Sequence, residues 1–247
     1  MDTLDNLYDV LDKEVPKQEE KKETAPTTSS SNNGGGYKSG SFDPWNDEIT
    51  PREINKTNLK RFDRNFALGS HGEVPVEVIE KIKSTFEELN TLGFTLRATG
   101  DNRDKLAVEG EKAYERKEYH IPFKKFNPDV EAKTSKPSKF AYEIAAKYHR
   151  AFTKVSNVVR GFLARNVHIM LGSDCNTPVN FIIIYTSCGI ETTKNIKFET
   201  AGNVSFNIDL AEELNVPIFN FKNENAKERL TSFLSTYKQY LLNEIKL

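Results

Sequence analysis

From about Asn65 onward, short continuous apolar runs alternate with stretches whose apolar positions recur every three or four residues. Asn65-Phe66-Ala67-Leu68 predicts a short strand stopped by Gly69-Ser70-His71-Gly72. Ile79, Ile82, Phe86 and Leu89 then repeat at helical spacing, with Gly93 placed as a C-cap. Phe94 to Arg97 predicts a second strand ending at Gly100, before a charged helix around Leu106 to Lys117. A third strand is expected around Tyr119-His120-Ile121, ended by Pro122. Phe140 to Arg150 and Val155 to Leu171 predict helices separated near Thr153. Asn180 to Tyr185 is continuously apolar after its first residue, as a strand buried on both faces of a parallel sheet should be. Ile208 to Leu214 predicts a helix, Val216 to Phe219 a last strand, and Leu230, Phe233, Leu234, Tyr237 and Leu241 a terminal amphipathic helix.

Ahead of this pattern the chain reads differently. Residues 16–41 have almost no branched or aromatic apolar side chains and end in a Gly/Ser-rich stretch, which predicts a disordered linker. Leu4, Leu7, Tyr8, Val10 and Leu11 recur between aspartates, the pattern of a short docking helix or of a frayed acidic terminus. Phe42-Asp43-Pro44-Trp45 holds the only Trp and reads as a strap packed back on the domain or as a linear recruitment motif. The expected division is an acidic tail over 1–60 and an α/β domain over 61–247.

Charge sharpens that division. The formal net charge of −1 conceals 7 Lys+Arg against 12 Asp+Glu in residues 1–56 and 28 against 24 in the rest. A tail of net −5 precedes a domain of net +4, a surplus compatible with nucleotide or nucleic-acid ligands. No apolar run reaches the length of a membrane span, Phe181 to Ile184 being the longest strongly apolar stretch, so no membrane partner is expected. The start, Met-Asp-Thr-Leu-Asp, lacks the pattern of a secretory signal, and two cysteines are too few for a disulfide framework, so a reducing cytoplasm is the expected compartment.

Strands alternating with helices imply a doubly wound, Rossmann-like α/β domain with a largely parallel sheet and helices on both faces. Ligands of such sheets bind beyond the carboxyl ends of the strands. Three strand ends carry glycine with small polar residues: Gly69-Ser70-His71-Gly72, Arg97-Ala98-Thr99-Gly100 and Gly202-Asn203-Val204-Ser205. Glycine lets backbone amides approach an anion closely, and a helix N-terminus behind the loop favours negative charge.

These segments resemble the SLOG superfamily of Rossmann-like nucleotide-binding proteins, which includes DprA and the LOG proteins, and are most similar to bacteriophage-encoded members. The resemblance is carried by Gly69-Ser70-His71 with Pro75, by Leu96-Arg97-Ala98-Thr99-Gly100 with Ala107 and Glu109, and by Ile121-Pro122-Phe123 with Phe126-Asn127. Ala145 to His149, Leu163-Ala164-Arg165-Asn166 with Leu171-Gly172, and Gly202-Asn203-Val204 through Val216-Pro217-Ile218-Phe219-Asn220 extend it over about residues 64–222. Departures fall on the ligand loops: His71, Ala98-Thr99 and Asn203-Val204 replace the family's Arg, Ser-Gly and Gly-Thr, and Lys105 stands where an Asp is usual. The pocket is thus either retuned for another ligand or decayed into an interaction platform.

The candidate phosphate-binding residues are Gly69, Ser70, His71, Arg97, Thr99, Gly100, Arg165, Asn166, Gly202 and Asn203. Arg97 closes a strand at the crevice, and Arg165 lies in an apolar helix where it needs a buried carboxylate or a ligand anion as partner. Glu109 reads as a solvated helix carboxylate, Cys188 as a buried inert thiol, and His120, His149 and His168 as too scattered for a metal site. Nothing in Glu199 to Val204 reproduces the LOG hydrolase motif, so no catalytic residues or cofactor are expected. The resemblance implies a non-enzymatic protein in a host cytoplasm that binds a nucleotide or nucleotide-derived molecule. Two alternatives stand beside it: DprA-like binding of single-stranded DNA, and an adaptor that meets a protein partner through residues 1–56. Self-association stays open.

Overall fold

The computed structural model describes residues 42–61, 63–134, 136–194, 196, 201–202 and 204–244; the readings made for residues 1–41 lie outside them. Six strands, β1 (Asn65–His71), β2 (Thr95–Ala98), β3 (Lys117–His120), β4 (Ala132–Thr134), β5 (Phe181–Thr186) and β6 (Ile218–Asn220), form one sheet in the order β4-β3-β2-β1-β5-β6. Every pairing in it is parallel. The α-helices whose full extent lies among the described residues are α1 (Val76–Lys83), α2 (Phe86–Thr91), α3 (Lys105–Ala113), α4 (Lys139–Tyr148), α5 (Asn157–Leu171), α6 (Val204–Glu213) and α7 (Ala226–Glu244).

Successive side chains of a strand point to opposite faces, so β5 serves two cores at once. Phe181 and Ile183 join the cluster that holds residues of α1, α2, α3 and α7, while Ile182 and Ile184 join the one that holds residues of α4, α5 and α6. The doubly wound sheet with helices on both faces is therefore the architecture present. Phe181 centres its core: it stacks on Phe66 with centroids 5.5 Å apart and meets Phe94, Phe219 and Phe233 edge-on. Full burial of such a ring contributes about 1.5–3 kcal/mol.

Local chemistry explains where elements differ from the pattern. The single helix expected across Ile79 to Leu89 is two, because Ser84 and Thr85 donate their hydroxyls back to the carbonyls of Lys81 and Ile82 at the break. β1 runs on through His71, so Gly69-Ser70-His71 belongs to the strand rather than to the loop. β4 was not expected: it is three residues long and polar, an edge strand whose exposed Lys133 is typical of such positions. α6 starts at Val204, four residues ahead of its first expected position.

Residues 42–61 pack on the domain as a strap. Phe42 meets Tyr142 edge-on at 5.5 Å, Arg52 donates its backbone N–H to the Glu143 carbonyl and covers the Phe140 ring, and Arg61 Nη2 donates to the Leu214 carbonyl. Ile54 is buried, whereas Trp45 is 54% exposed. The anchor is Phe42 rather than the Trp, and packing on the domain begins ahead of the expected boundary at residue 61.

Candidate binding site at the carboxyl edge of the sheet

The chain builds β2, β3 and β4 outward on one side of β1, then crosses over to β5 and β6 on the other. The crevice that such a reversal opens lies beyond the carboxyl ends of β1 and β5, where His71 stands in register with Thr186. Each of the three glycine-bearing loops reaches this edge; the first two are filled by carboxylates of α3 and the third by a side chain of β1.

At the first, the anion is the chain's own. Asp104 accepts from the Ser70 backbone N–H at 2.7 Å and from the Ser70 hydroxyl at 2.5 Å. The same carboxylate caps α3 by accepting from the Ala107 N–H at 3.0 Å. Burial raises the Asp104 pKa against these three bonds.

The second loop repeats the theme. Glu111, two turns along α3, accepts from the Thr99 N–H at 2.7 Å, the Thr99 hydroxyl at 3.1 Å and the Gly100 N–H at 3.2 Å. Burial raises its pKa as well. Arg165 reaches the loop from α5, donating to the Thr99 carbonyl at 3.2 Å and to Asn166 Oδ1 at 2.9 Å, with Asp101 Oδ2 at 3.8 Å. The buried carboxylate that an Arg in this helix requires is thus Asp101. Burial pushes the Asp101 pKa up, but the hydrogen bonds from Arg103 and the charge of Arg165 bring it below the usual value. Asn166 is buried beside Arg165 and orients it.

At the third loop Gly202 has φ +49°, and a Cβ there would collide with the His71 ring, so glycine is required for both reasons. Asn203 lies outside the described residues. Ser70 and His71 are half-buried, and His71 fills the space between β1 and this loop. Beyond β5 and β6 the edge is open instead. A cavity of ≈ 720 Å³ is lined by Glu191, Lys222, Asn223, Glu224, Asn225 and Arg229. Arg229 Nη2 meets Glu191 Oε1 at 2.5 Å, and its Nε has no hydrogen-bond partner among the described residues. Glu191 also accepts from the Asn220 N–H at 2.7 Å, and the Asn220 side chain donates to the Thr186 hydroxyl at 2.7 Å and to the Ile190 carbonyl at 3.0 Å.

No family model, curated protein or solved structure matches this chain.

Of the sequence-derived candidates, Gly69, Ser70, His71, Thr99, Gly100, Arg165, Asn166 and Gly202 all lie at the carboxyl edge. Arg97 does not join them. It points to the face of the sheet covered by α5, where Nε meets Glu118 Oε1 at 3.1 Å and Nη1 donates to the Thr177 carbonyl at 2.7 Å. Glu118 also holds His120 and Lys133, and although burial raises its pKa, those bonds bring it down to about 2. Glu109 is the helix carboxylate expected, paired with Lys83 and Lys112. Cys188 differs from its reading: it is exposed, its thiol 3.5 Å from the Thr186 hydroxyl. His120 and His168, far apart in sequence, stack with centroids 6.0 Å apart. No group of three His, Cys, Asp or Glu side chains among the described residues is arranged to hold a metal ion.

The sequence reading missed Asp101, Asp104 and Glu111, the residues that occupy two of the loops. Signals for the last two existed. Asp104 stands just before the apolar repeat of α3, the place of an N-cap. Glu111 lies four residues after Ala107, on the buried face of the helix, where an acid demands a donor.

Proposed function

We propose that this chain is a non-enzymatic nucleotide-binding module whose ligand phosphate sits at the carboxyl edge over β5 and β6. The observation that carries the reading is the cavity of ≈ 720 Å³ between Lys222 and Arg229, at the start of the 19-residue helix α7. Lys222 and Arg229 are balanced by Glu191 and Glu224, and Arg229 already meets Glu191, so it is the N-terminus of α7 opening on the cavity that favours a phosphate there. The first two glycine loops serve less well, because Asp104 and Glu111 already accept the N–H groups that a phosphate would use. The likeness to phage-type SLOG members supports the ligand class. Thermal melting with AMP, cyclic AMP and ADP-ribose tests it: a saturable rise in Tm is expected, lost in the Lys222→Glu, Arg229→Gln double variant. A folded protein with an unchanged Tm across the panel overturns it.

A second reading, binding of single-stranded DNA, is favoured by one feature. Phe123, Phe126 and Phe162 form a cluster of edge-on rings at the carboxyl end of β3, with Arg103 4.6 Å over Phe162 and exposed Lys124 and Lys125 beside it. Half-buried rings among cations suit base stacking and phosphate contact. An affinity for oligo-dT that falls steeply with salt supports this reading, and one indifferent to salt refutes it.

A further inference from the structure

The amino edge of the sheet, opposite the site above, holds a second cavity, of ≈ 610 Å³, within the usual range of about 300–1,000 Å³ for small-molecule sites. Strand register builds its floor. Asn65 pairs with Thr95, Ala67 with Arg97, and Arg97 with Glu118, so Asn65, Thr95, Arg97 and Glu118 project from one face of the sheet. The connection from α5 to β5, Gly172 to Thr177, roofs it, and Asp63, Arg64 and Lys133 stand at the mouth.

Three observations point to an occupant. Asn65 is 6% exposed, and its side-chain amide makes no hydrogen bond with any described residue, although its backbone N–H donates to Asn180. The amide lines the cavity, so its hydrogen-bonding groups are open to whatever enters. Arg97 is 2% exposed, with Nε committed to Glu118 and Nη1 to the carbonyls of Ile169 and Thr177, while Nη2 donates to no described residue. Finally, Gly172 has φ +74°, and a Cβ on it would lie 3.1 Å from that same Nη2; glycine keeps the nitrogen open to the cavity.

The charges choose the ligand class. Arg64, Arg97 and Lys133 are matched by Asp63, Glu118 and Asp174, so the lining is balanced and offers no field for a multiply charged anion. Glu118 is saturated by Arg97, His120 and Lys133, and Asp174 by Lys60, the Asn176 N–H and Thr177. What remains is a donor pair deep in the floor, Arg97 Nη2 and the Asn65 amide, and a carboxylate at the mouth, Asp63, which forms no ion pair with a described residue. We infer that this cavity binds a small zwitterion of the amino-acid type, its carboxylate on Arg97 and Asn65 and its ammonium toward Asp63.

The test presents the common α-amino acids singly to the full chain by calorimetry, with inorganic phosphate and AMP as separate arms. Saturable binding of one or more amino acids is expected, weakened at least tenfold in Asn65→Leu, which fills the floor with an apolar isostere. Ser173→Trp, at an exposed roof position, should block entry to the same extent. Melting of both variants without ligand checks that they fold. Absence of amino-acid binding, or binding that both folded variants retain, overturns the inference. So does phosphate binding that Asn65→Leu abolishes while amino acids fail to bind. AMP binding lost in Lys222→Glu alone concerns the carboxyl edge; with no amino acid bound, it overturns this inference and leaves the proposed function standing.

Discussion

His168 gives the sharpest quantitative test of the packing. It is 1% exposed on α5, its Nε2 accepts from the Ser138 backbone N–H at 3.1 Å, and its Nδ1 therefore carries the proton and donates to the Gly172 carbonyl at 2.8 Å. His120 stacks on it, Cys175 lies 3.7 Å from Nδ1, and Arg97 and Asp174 act from further off. Burial pushes its pKa down to about 4 from an ordinary value of 6.5. The unfolded chain thus takes up a proton below pH 6.5 that the folded chain refuses until about pH 4. Stability is lost as pH falls through that window, by about 3 kcal/mol in full and about 2 kcal/mol by pH 5. Asp209, whose carboxyl burial raises to about 6, works in the opposite direction, and buried His120 and His149, also pushed down, work in the same one, so the wild-type curve alone mixes several groups. The informative quantity is the difference between wild type and His168→Gln in urea unfolding at pH 7 and pH 5. The variant is the less stable at pH 7, and the gap should narrow by about 2 kcal/mol at pH 5, because only wild type bears the proton penalty. A gap that is the same at both pH values, or a His168 ring that titrates near 6.5 by NMR, refutes the reasoning.

Other consequences follow from single contacts. Asp104→Asn should lower stability by about 1–3 kcal/mol in urea unfolding, because an amide nitrogen in place of Oδ2 cannot accept from the Ser70 N–H and leaves that donor unmet. Gly202→Ala places a Cβ against the His71 ring at a positive φ and should cost at least about 1–3 kcal/mol, read as a lower Tm. Asp209→Asn should stabilise the protein by about 1–3 kcal/mol above pH 6: a carboxyl with a raised folded pKa costs stability when ionised, and the gain should vanish near pH 4. Gly161→Ala puts a Cβ 2.6 Å from Phe123 Cε1 and should unseat that ring, lowering Tm and, on the DNA reading, weakening oligo-dT binding.

The parts of the fold that could be read from the sequence are those in which one residue's burial dictates its type. Phe181 to Ile184 announces a central strand because both its faces are covered, and nothing polar is tolerated there. The loops at Gly93 and Gly100, each with positive φ in the structure, were marked by a residue that only that backbone favours. β4 escaped because an edge strand of three residues needs no apolar signature. Arg97 lines the amino-edge cavity rather than the carboxyl-edge crevice for a different reason. Its position near a strand end is visible in the sequence, but which face it takes depends on the one-residue phase of β2, and that phase is set by its pairing with β1 and β3. The pairing of His120 with His168, across 48 positions of chain, leaves no local trace at all.

The glycine loops teach something more general about this edge. Glycine and a following helix mark places where backbone N–H groups converge, and such places attract negative charge from any source. Here Asp104 and Glu111 supply it to the first two loops from within α3, a helix fastened by these bonds to the ends of β1 and β2. An internal carboxylate is always present, whereas a phosphate must pay for its own immobilisation, so these loops are closed to any anion that does not first displace a buried acid. Displacement would have to bring the freed carboxylate into contact with Arg165 or solvent, and Arg165 already faces Asp101. The carboxyl edge is therefore divided. Over β1 and β2 its anion sites are filled by the chain's own carboxylates and hold the fold together, and over β5 and β6 Lys222, Arg229, Glu191 and Glu224 line open space.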